Sequence, residues 1–233
     1  MNPNLFQCQN RIISSPSRFS GRGGIFFDRD GVIIEEANYL SQVDDLKILG
    51  GVIPGLRKLK KLGMPFYLIT NQAGIAHGFF TEKQLRIIQS FLVAKLLEAK
   101  IKFRAAFYCP HHPQAEMANY RADCFGRKPK PGLLYQAARF DKLNLKHSYI
   151  IGDKLTDLEA GKQAGTKTIL VLTGYGAEES KKISSNLKPD FIATNINDAA
   201  DWIIIQEKKR PFNFNRNPTG QNQNHKYGFR LFC

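Results

Sequence analysis

The sequence lacks any apolar run close to the roughly 18 consecutive residues that a membrane helix requires, which argues against a membrane-spanning protein. The N-terminal region also has no apolar stretch followed by a small-residue cleavage site, so we expect no secretory signal and a cytoplasmic location. There are only four cysteines, and in a reducing compartment they do not indicate a disulfide framework. With 42% hydrophobic and 23% charged residues, the composition is typical of a soluble globular protein.

Acidic residues are scarce relative to basic ones, with 20 against 34 and a net charge of +14. Part of the surplus lies at the ends, because residues 1–23 carry +3 and residues 206–233 carry +5. The remaining +6 belongs to the middle of the chain, and a moderately basic enzyme suits an anionic substrate. Nucleic-acid binding would rest on the two ends alone.

Three segments follow from composition and periodicity. Residues 1–23 and 206–233 are rich in Asn and lack periodicity, so we predict a mobile N-terminal extension and a mobile basic C-terminal tail. Residues 24–205 are predicted to form one phosphatase domain, for the reasons given below.

Within that domain, apolar strand patterns alternate with helical patterns. We predict strands at 24–34, 65–70, 103–109, 148–152, 168–173 and 191–193. We predict helices at 54–62, 81–96, 131–140, 155–164 and 197–206, with Thr81 and Gln84 forming a capping box. The alternation predicts an α/β fold, a three-layer Rossmann-like parallel sheet with helices on both faces. No second domain fits, so we expect no separate cap domain.

The strongest local signal is the segment FFDRDGV at residues 26–32. An apolar strand ends there in two acids, Asp28 and Asp30, followed by Gly31. Burying carboxylates is costly unless something compensates them, and a bound cation would do so. The segment therefore indicates a metal-binding pair of carboxylates; the alternative is a strand end with solvated acids.

Three further segments are weak signals when taken singly. LITNQAG at 68–74 offers a hydroxyl and backbone N–H groups to a phosphate, but could be a polar turn. RKPKPG at 127–132 offers cations, but could be a solvated surface, and IIGDKLTD at 150–157 could be a helix N-cap. All four segments follow predicted strands or lie in the loops after them, where the ends of parallel strands converge on one crevice. Acids, a hydroxyl and cations gathered there suit phosphoryl transfer.

In this order, the four motifs resemble those of the haloacid dehalogenase superfamily of phosphohydrolases, over about residues 24–205. The resemblance implies that Asp28 is the nucleophile, forming an aspartyl-phosphate, and that Asp30 is the general acid and base. It implies Mg²⁺ held by Asp28, Asp153 and the main-chain carbonyl of Asp30. Thr70 and Lys128 would stabilise the phosphoryl group, and Asp157 would orient Lys154 or Lys128.

The segment between residues 109 and 129 resembles the zinc-loop branch of that superfamily, in which Cys-x-His is followed by Cys-x-Cys. Cys109, His111 and Cys124 match three zinc ligands, whereas Gly126 stands at the fourth position. Because structural zinc takes four ligands, the site would use His112 or water, bind weakly, or be a metal-free remnant. The alternative is that these cysteines simply pack as small apolar side chains.

Within the branch, the DRDGVI and NQAGIA segments look most like the heptose-bisphosphate phosphatases of lipopolysaccharide precursor synthesis. That likeness implies loss of the 7-phosphate from D-glycero-D-manno-heptose 1,7-bisphosphate, in the β form. Arg127 would recognise the remaining phosphate through its planar fork. The other substrate-binding residues would be Glu36, Ala37, Asn38, Tyr39, Thr70, Asn71, Gln72, Ala73, Lys128 and Lys154. The chain departs from the pattern at Glu36, Asn38 and His77.

Other functions remain open at this point. The nearest is histidinol-phosphate phosphatase, followed by a phosphatase acting on nucleic-acid ends and by a non-catalytic scaffold that keeps an inactive site. We expect a monomer that binds a small phosphorylated metabolite, a sugar bisphosphate, and neither a membrane nor nucleic acid.

Overall fold

A parallel sheet forms the centre of the computed structural model, which describes residues 19–209 and the backbone of residues 231 and 232. The strands are β1 (Ile25–Phe27), β2 (Phe66–Asn71), β3 (Ala105–Cys109), β4 (Tyr149–Gly152), β5 (Lys167–Val171), β6 (Phe191–Ala193) and β7 (Leu231–Phe232). The helices are α1 (Val52–Lys60), α2 (Ala73–Ala76), α3 (Glu82–Glu98), α4 (Gly132–Asp141), α5 (Leu155–Ala164), α6 (Gly176–Ser180) and α7 (Ile196–Lys209).

The strands lie in the order β6-β5-β4-β1-β2-β3-β7, and every neighbouring pair is parallel. At the end of β1, Phe27 pairs with Leu68 of β2 and Ile151 of β4. The residues that follow these three strands therefore emerge side by side. This register brings three of the four sequence motifs to one edge of the sheet.

Each face of the sheet is covered by helices because side chains along a strand alternate between the faces. Ile25 and Phe27 join the core with α1, α3 and α7, whereas Phe26 joins the second core with α4 and α5. The expected three-layer α/β fold, a parallel sheet with helices on both faces, is confirmed. Over residues 19–209, no helix has the length and apolar character needed to cross a membrane.

Most predicted elements are present, with shifted ends. The Thr81 hydroxyl accepts the Gln84 N–H at 3.2 Å, and the Thr81 N–H donates to Gln84 Oε1 at 2.8 Å, as the capping-box pattern predicts. The first strand is shorter than predicted, because the chain turns back after Phe27 and the N–H groups of Ile33 and Ile34 both donate to the carbonyl of Arg29. The sequence patterns did not reveal α2, α6 or β7.

The boundaries of the predicted extensions shift where the structure describes them. Helix α7 continues to Lys209, past the predicted end of the domain at residue 205. The basic residues in its last turn interact favourably with the negative end of the helix dipole. Phe19 is buried, although it belongs to the predicted N-terminal extension, and β7 lies beside β3. The rest of both extensions, 1–18, 210–230 and 233, lies outside the described residues, so their predicted mobility stays a prediction.

The packing of α1 against α7 depends on the absence of a side chain at Gly55. A Cβ at this position would lie 2.7 Å from Ile196 Cγ2 and 2.9 Å from the Asn197 Cα. We expect Gly55→Ala to lower the free energy of unfolding by about 1–3 kcal/mol through overpacking, even though Ala gains about 1 kcal/mol of helix propensity. Urea unfolding measures the difference.

Ser90→Ala on the exposed side of α3 is the control, because it changes helix propensity without a steric contact. A Gly55→Ala variant more stable than the wild type would contradict the tight packing of these helices.

Candidate active site

Asp28 and Asp30 follow β1 at the edge where the strand ends converge. Asp28 is buried, and its Oδ1 accepts the N–H of Arg29 at 2.7 Å. The Asp28 N–H donates to the carbonyl of Ile151 on β4. The Asp30 carboxylate has a different partner from Asp28: it is held by the Arg29 guanidinium, with Nη2 2.9 Å from both oxygens. The two acids of the motif thus face different partners.

Asp153 follows β4 and is fully buried. Its Oδ2 accepts the N–H of Tyr175 at 2.9 Å, whereas its Oδ1 is buried without a hydrogen-bond partner among the described residues. Gly31 and Gly174 both have positive φ and pack against this carboxylate. A Cβ would fall 2.1 Å from Oδ2 at Gly31 and 2.3 Å at Gly174, so only glycine permits this approach.

Lys128 brings a buried positive charge to the acids from the loop before α4. Its Nζ lies 3.0 Å from Asp28 Oδ1 and 2.5 Å from Asp157 Oδ1, and it donates to the carbonyl of Ile69. Burial by itself disfavours the ammonium, but the charges of Asp157 and Asp28 outweigh it and raise the pKa of Lys128. Lys128 is therefore a permanent cation in the crevice.

Asp157 lies on the first turn of α5 beneath this cation. Its Oδ2 accepts the N–H of Lys154 at 3.1 Å, and its Oδ1 faces Lys128. Burial raises the pKa of Asp157 to about 6, against the opposing effect of Lys128. Asp157 therefore orients the Lys128 side chain and the main chain at Lys154, the two lysines that the sequence analysis named.

The carboxylates fit a divalent cation. One oxygen from each of Asp28, Asp153 and Asp157 lies within 4.8 Å of the others. Burial, together with the charges of Asp28 and Asp157, raises the pKa of Asp153 to about 8. A cation would relieve this repulsion, and the partnerless Asp153 Oδ1 would become one of its ligands. Because both oxygens of Asp157 are already bonded, Asp28 and Asp153 are the better ligands.

Thr70 and Asn71 end β2, Gln72 follows them, and the three residues connect the loops of the site. Gln72 Nε2 donates to Thr70 Oγ1 at 2.8 Å and to Asp30 Oδ2 at 3.0 Å. Asn71 exchanges two hydrogen bonds of 3.0 Å with the main chain of Lys128. The side chains of Asn71 and Gln72, which the sequence analysis assigned to substrate, thus position Lys128, Thr70 and Asp30. Ala73 follows directly as the first residue of α2.

The rim of the crevice is polar and aromatic. Lys154 Nζ lies 3.2 Å from Glu36 Oε2 and 4.4 Å from the centre of the Tyr175 ring. The Tyr175 hydroxyl donates to Asn38 Oδ1 at 3.0 Å. Asn38 and Tyr39 both have positive φ, which turns the segment that also contains Ala37 back over the site. Tyr175 joins the predicted residues of this rim, and no sequence motif pointed to it.

Tyr39 and Arg127 lie near each other beside the rim. The Tyr39 ring packs against Phe79 at 4.6 Å, and His77 Nδ1 pairs with Glu116 at 2.5 Å nearby. Arg127 is half-buried, and its Nη1 donates to the carbonyl of His111 at 3.2 Å. Burial lowers the pKa of Arg127, although the guanidinium remains charged.

Cys109, His111 and Cys124 come together behind Arg127. One ligand atom from each lies within 4.8 Å of the others, and Cys109 Sγ is 3.8 Å from His111 Nδ1. Hydrogen bonds with Cys109 and His111 lower the pKa of Cys124 to about 4, and the Gly126 N–H also donates to its sulfur. A sulfur held as thiolate suits a metal ligand.

His112 does not join this cluster among the described residues. Its Nδ1 accepts the N–H of Gln114 at 3.1 Å, and its ring packs against His77 at 4.9 Å. The expectation that His112 supplies the fourth ligand therefore has no support in this geometry. Gly126 leaves that position open on the protein side, with Cys124 Sγ 3.5 Å from where a Cβ would lie.

Comparison with known proteins adds three likenesses to this geometry. Residues 125–199 match the family model described as HAD-hydrolase-like. The chain is 39% identical over 166 residues to a D-glycero-alpha-D-manno-heptose-1,7-bisphosphate 7-phosphatase of Photorhabdus laumondii, covering 70% of this chain and 91% of that protein. It is 37% identical to the D-glycero-beta-D-manno-heptose-1,7-bisphosphate 7-phosphatase of Escherichia coli K12, covering 77% of this chain and 87% of that protein.

A solved structure resembles the fold over nearly its whole length. It is the D,D-heptose 1,7-bisphosphate phosphatase of B. bronchiseptica in complex with magnesium and phosphate. The TM-score is 0.71 at 29% identity, covering 79% of this chain and 99% of that one.

The proposed cation site can be tested at Asp153, whose Oδ1 has no partner among the described residues. In the metal-free protein at about pH 9, above the raised pKa of Asp153, we expect Asp153→Asn to melt about 3 °C or more higher than the wild type, because it removes a charge from a buried cluster of acids. Mg²⁺ should raise the melting temperature of the wild type by binding the folded state, and should have little effect on the variant. Thermal denaturation in EDTA and in excess Mg²⁺ measures both.

Asp45→Asn, at an exposed acid outside the cluster, is the control and should change neither value. An equal response to Mg²⁺ in Asp153→Asn and the wild type would place the cation elsewhere.

Proposed function

The chain belongs to the haloacid dehalogenase-like hydrolases, in the family of the heptose 1,7-bisphosphate 7-phosphatases, and we propose that it removes the 7-phosphate from D-glycero-β-D-manno-heptose 1,7-bisphosphate. The observation that carries the proposal is the single crevice in which Asp28, Asp153 and Lys128 meet. The names of the relatives supply the substrate. Such a product would serve the synthesis of lipopolysaccharide precursors.

In this proposal Asp28 is the nucleophile. One of its oxygens forms a bond to phosphorus while the bond from phosphorus to the sugar oxygen breaks, and the electron pair leaves with that oxygen. Asp30 gives its proton to the leaving oxygen. A water molecule then attacks the phosphorus of the aspartyl-phosphate, Asp30 takes its proton, and the Asp28 carboxylate is regenerated with release of phosphate.

Asp28, Asp153 and the main-chain carbonyl of Asp30 would hold Mg²⁺, and the partnerless Asp153 Oδ1 supports this choice. When bound, Mg²⁺ would offset the repulsion between the carboxylate and the phosphate. Lys128 acts on the same charges from the protein side, since its Nζ is 3.0 Å from the nucleophile. Thr70 would donate its hydroxyl to a phosphate oxygen, because its Oγ1 already accepts a hydrogen bond from Gln72.

The sugar and the remaining phosphate would lie along the rim. Glu36, Ala37, Asn38 and Tyr39 would line the sugar, and Lys154 would reach it from the ion pair with Glu36. Arg127 would bind the 1-phosphate through its planar fork, since it directly precedes Lys128 of the crevice. The backbone N–H groups of Asn71 and Ala73 would contact the phosphate, whereas the Gln72 N–H already donates to the carbonyl of Cys109 at 2.8 Å.

The Cys109, His111 and Cys124 cluster is proposed as a weak zinc site with three protein ligands and water as the fourth. Its thiolate supports metal binding, and its contact with the Arg127 segment links it to substrate recognition. The free cysteines Cys109 and Cys124 also suit a reducing compartment, which supports a cytoplasmic enzyme. A monomeric state remains a prediction, as does indifference to nucleic acid.

The activity is tested with the purified chain in Mg²⁺. We expect the enzyme to release one phosphate from each heptose bisphosphate. Its kcat/KM for this substrate should be at least about tenfold above that for histidinol phosphate. Both the α and the β anomer are assayed, because relatives with both names match the chain. Asp28→Asn should lower kcat by at least about 10³-fold and keep the fold, because it removes the nucleophile. Phosphate release and circular dichroism measure the two effects.

Asp44→Asn, at an exposed position, is the control and should match the wild type. Continued phosphate release by Asp28→Asn would exclude the aspartyl-phosphate, and a preference for histidinol phosphate would exclude the heptose substrate.

The zinc site is tested by completing it. A Cβ at Gly126 makes only ordinary contacts, 3.5 Å from Cys124 Sγ and from Leu133 Cδ2, so Gly126→Cys fits without strain and places a third thiol beside the cluster. We expect the variant to retain one zinc ion after dialysis against a chelator, whereas the wild type loses it. Elemental analysis measures the zinc.

Gly126→Ser, which adds a similar volume without a thiol, should behave like the wild type. Loss of zinc from Gly126→Cys would show that the open position does not face a metal.

A further inference from the structure

Arg29, which stands between the two acids of the first motif, is 1% exposed and contacts both of them. Its backbone N–H donates to Asp28 Oδ1 at 2.7 Å. Its Nε and Nη2 face the Asp30 carboxylate as a fork, at distances from 2.9 to 3.2 Å. One residue thus orients the proposed nucleophile through its main chain and the proposed acid through its side chain.

Gln72 completes this arrangement from β2. Arg29 Nη2 donates to Gln72 Oε1 at 3.1 Å, and Gln72 Nε2 donates to Asp30 Oδ2 at 3.0 Å and to Thr70 Oγ1 at 2.8 Å. The Asp30 carboxylate is therefore held by donors on two strand ends, and the same amide touches the hydroxyl proposed to bind phosphate. Rotation of Asp30 would break several partly buried hydrogen bonds at once.

Burying a guanidinium costs free energy because the charge loses its water, and not every N–H donor of Arg29 finds a partner in exchange. Arg29 Nη1 is buried without a hydrogen-bond partner among the described residues. A structural ion pair with an unsatisfied donor contributes little stability, because the desolvation of the charges offsets their attraction. A role in the reaction accounts better for keeping the charge in this place.

We propose that Arg29 is a positioning residue that acts through Asp30 on departure of the leaving group; the proposal rests on the phosphatase function given above. As Asp30 passes its proton to the leaving oxygen, negative charge develops on its carboxylate. The Arg29 fork and the Gln72 amide stabilise that charge and hold the carboxylate in one orientation. The hydrogen bonds from Arg29 and Gln72 to Asp30 therefore stabilise the transition state more than the ground state.

The test compares leaving groups, because general acid catalysis matters most when the leaving oxygen is strongly basic. Arg29→Lys keeps the charge and loses the fork. We expect kcat/KM with Mg²⁺ to fall less than about threefold for p-nitrophenyl phosphate and about 30-fold or more for phenyl phosphate and an alkyl phosphate. The plot of log kcat/KM against leaving-group pKa should steepen. Because kcat/KM covers only the steps up to leaving-group departure, the later hydrolysis does not enter.

Arg104→Lys is the matched control, since Arg104 also forms a fork with a buried acid, Asp141, with Nε at 2.8 Å and Nη2 at 3.0 Å, away from the crevice. It should lower stability and leave the plot unchanged. If Arg29→Lys lowers kcat/KM equally for all leaving groups, Arg29 has only a structural role and the proposal is overturned.

Gln72→Met provides a second route if Arg29→Lys fails to fold, because it removes one donor to Asp30 while keeping the guanidinium. We expect the same steepening with a smaller amplitude, about three- to tenfold between the extreme leaving groups. A parallel shift of the plot in this variant would also overturn the proposal. A wild type that releases no phosphate from heptose bisphosphate or from any of these esters would instead refute the phosphatase function itself.

Discussion

The crevice depends on the electrostatic balance between buried carboxylates and one buried lysine. Asp28, Asp153 and Asp157 lie close enough to repel one another, and the Lys128 ammonium is bonded to only two of them. The balance is incomplete, since Asp153 retains a buried oxygen without a partner among the described residues. Repulsion that the protein does not cancel by itself is what creates affinity for a divalent cation. The same charges then favour an anionic substrate only when the cation is present.

Rigid connections between the loops keep this balance in place. Asn71 joins the end of β2 to Lys128, Gln72 joins it to Asp30, and Asp157 joins α5 to Lys128. Glycines at 31 and 174 let main chain approach Asp153 more closely than any side chain would allow. Few of the groups in this inner shell are left free to move, and this matches a reaction in which catalysis comes from placing charges before the substrate arrives. In the proposed function, substrate selection would fall to the rim, where Tyr39, Lys154 and Arg127 are more exposed.

Much of this could be predicted from residues and their spacing. Asp28, Asp30 and Asp153 were identifiable because acids that follow apolar strands have no use in a core, whereas Lys128 stood out only as part of the set of four motifs. The capping box at Thr81 was likewise predicted from local pattern alone. Arg29 was less predictable, since a basic residue between two acids is equally consistent with a solvated surface. Tyr175 had no signal, because its main-chain bond to Asp153 and its contact with Lys154 join segments far apart in the chain.

The class of fold, the edge of the sheet at which the chemistry lies and the residue types available there all follow from local patterns in the chain. Strand periodicity and the residue after each strand are read from neighbouring positions. The pairing of the side chains follows only from the folded arrangement: Asp30 turns to Arg29, Gln72 donates to Asp30 and Thr70, and His112 accepts from Gln114 rather than joining Cys124. Such pairings depend on side-chain directions and on strand register, which bring together residues that no window of sequence contains.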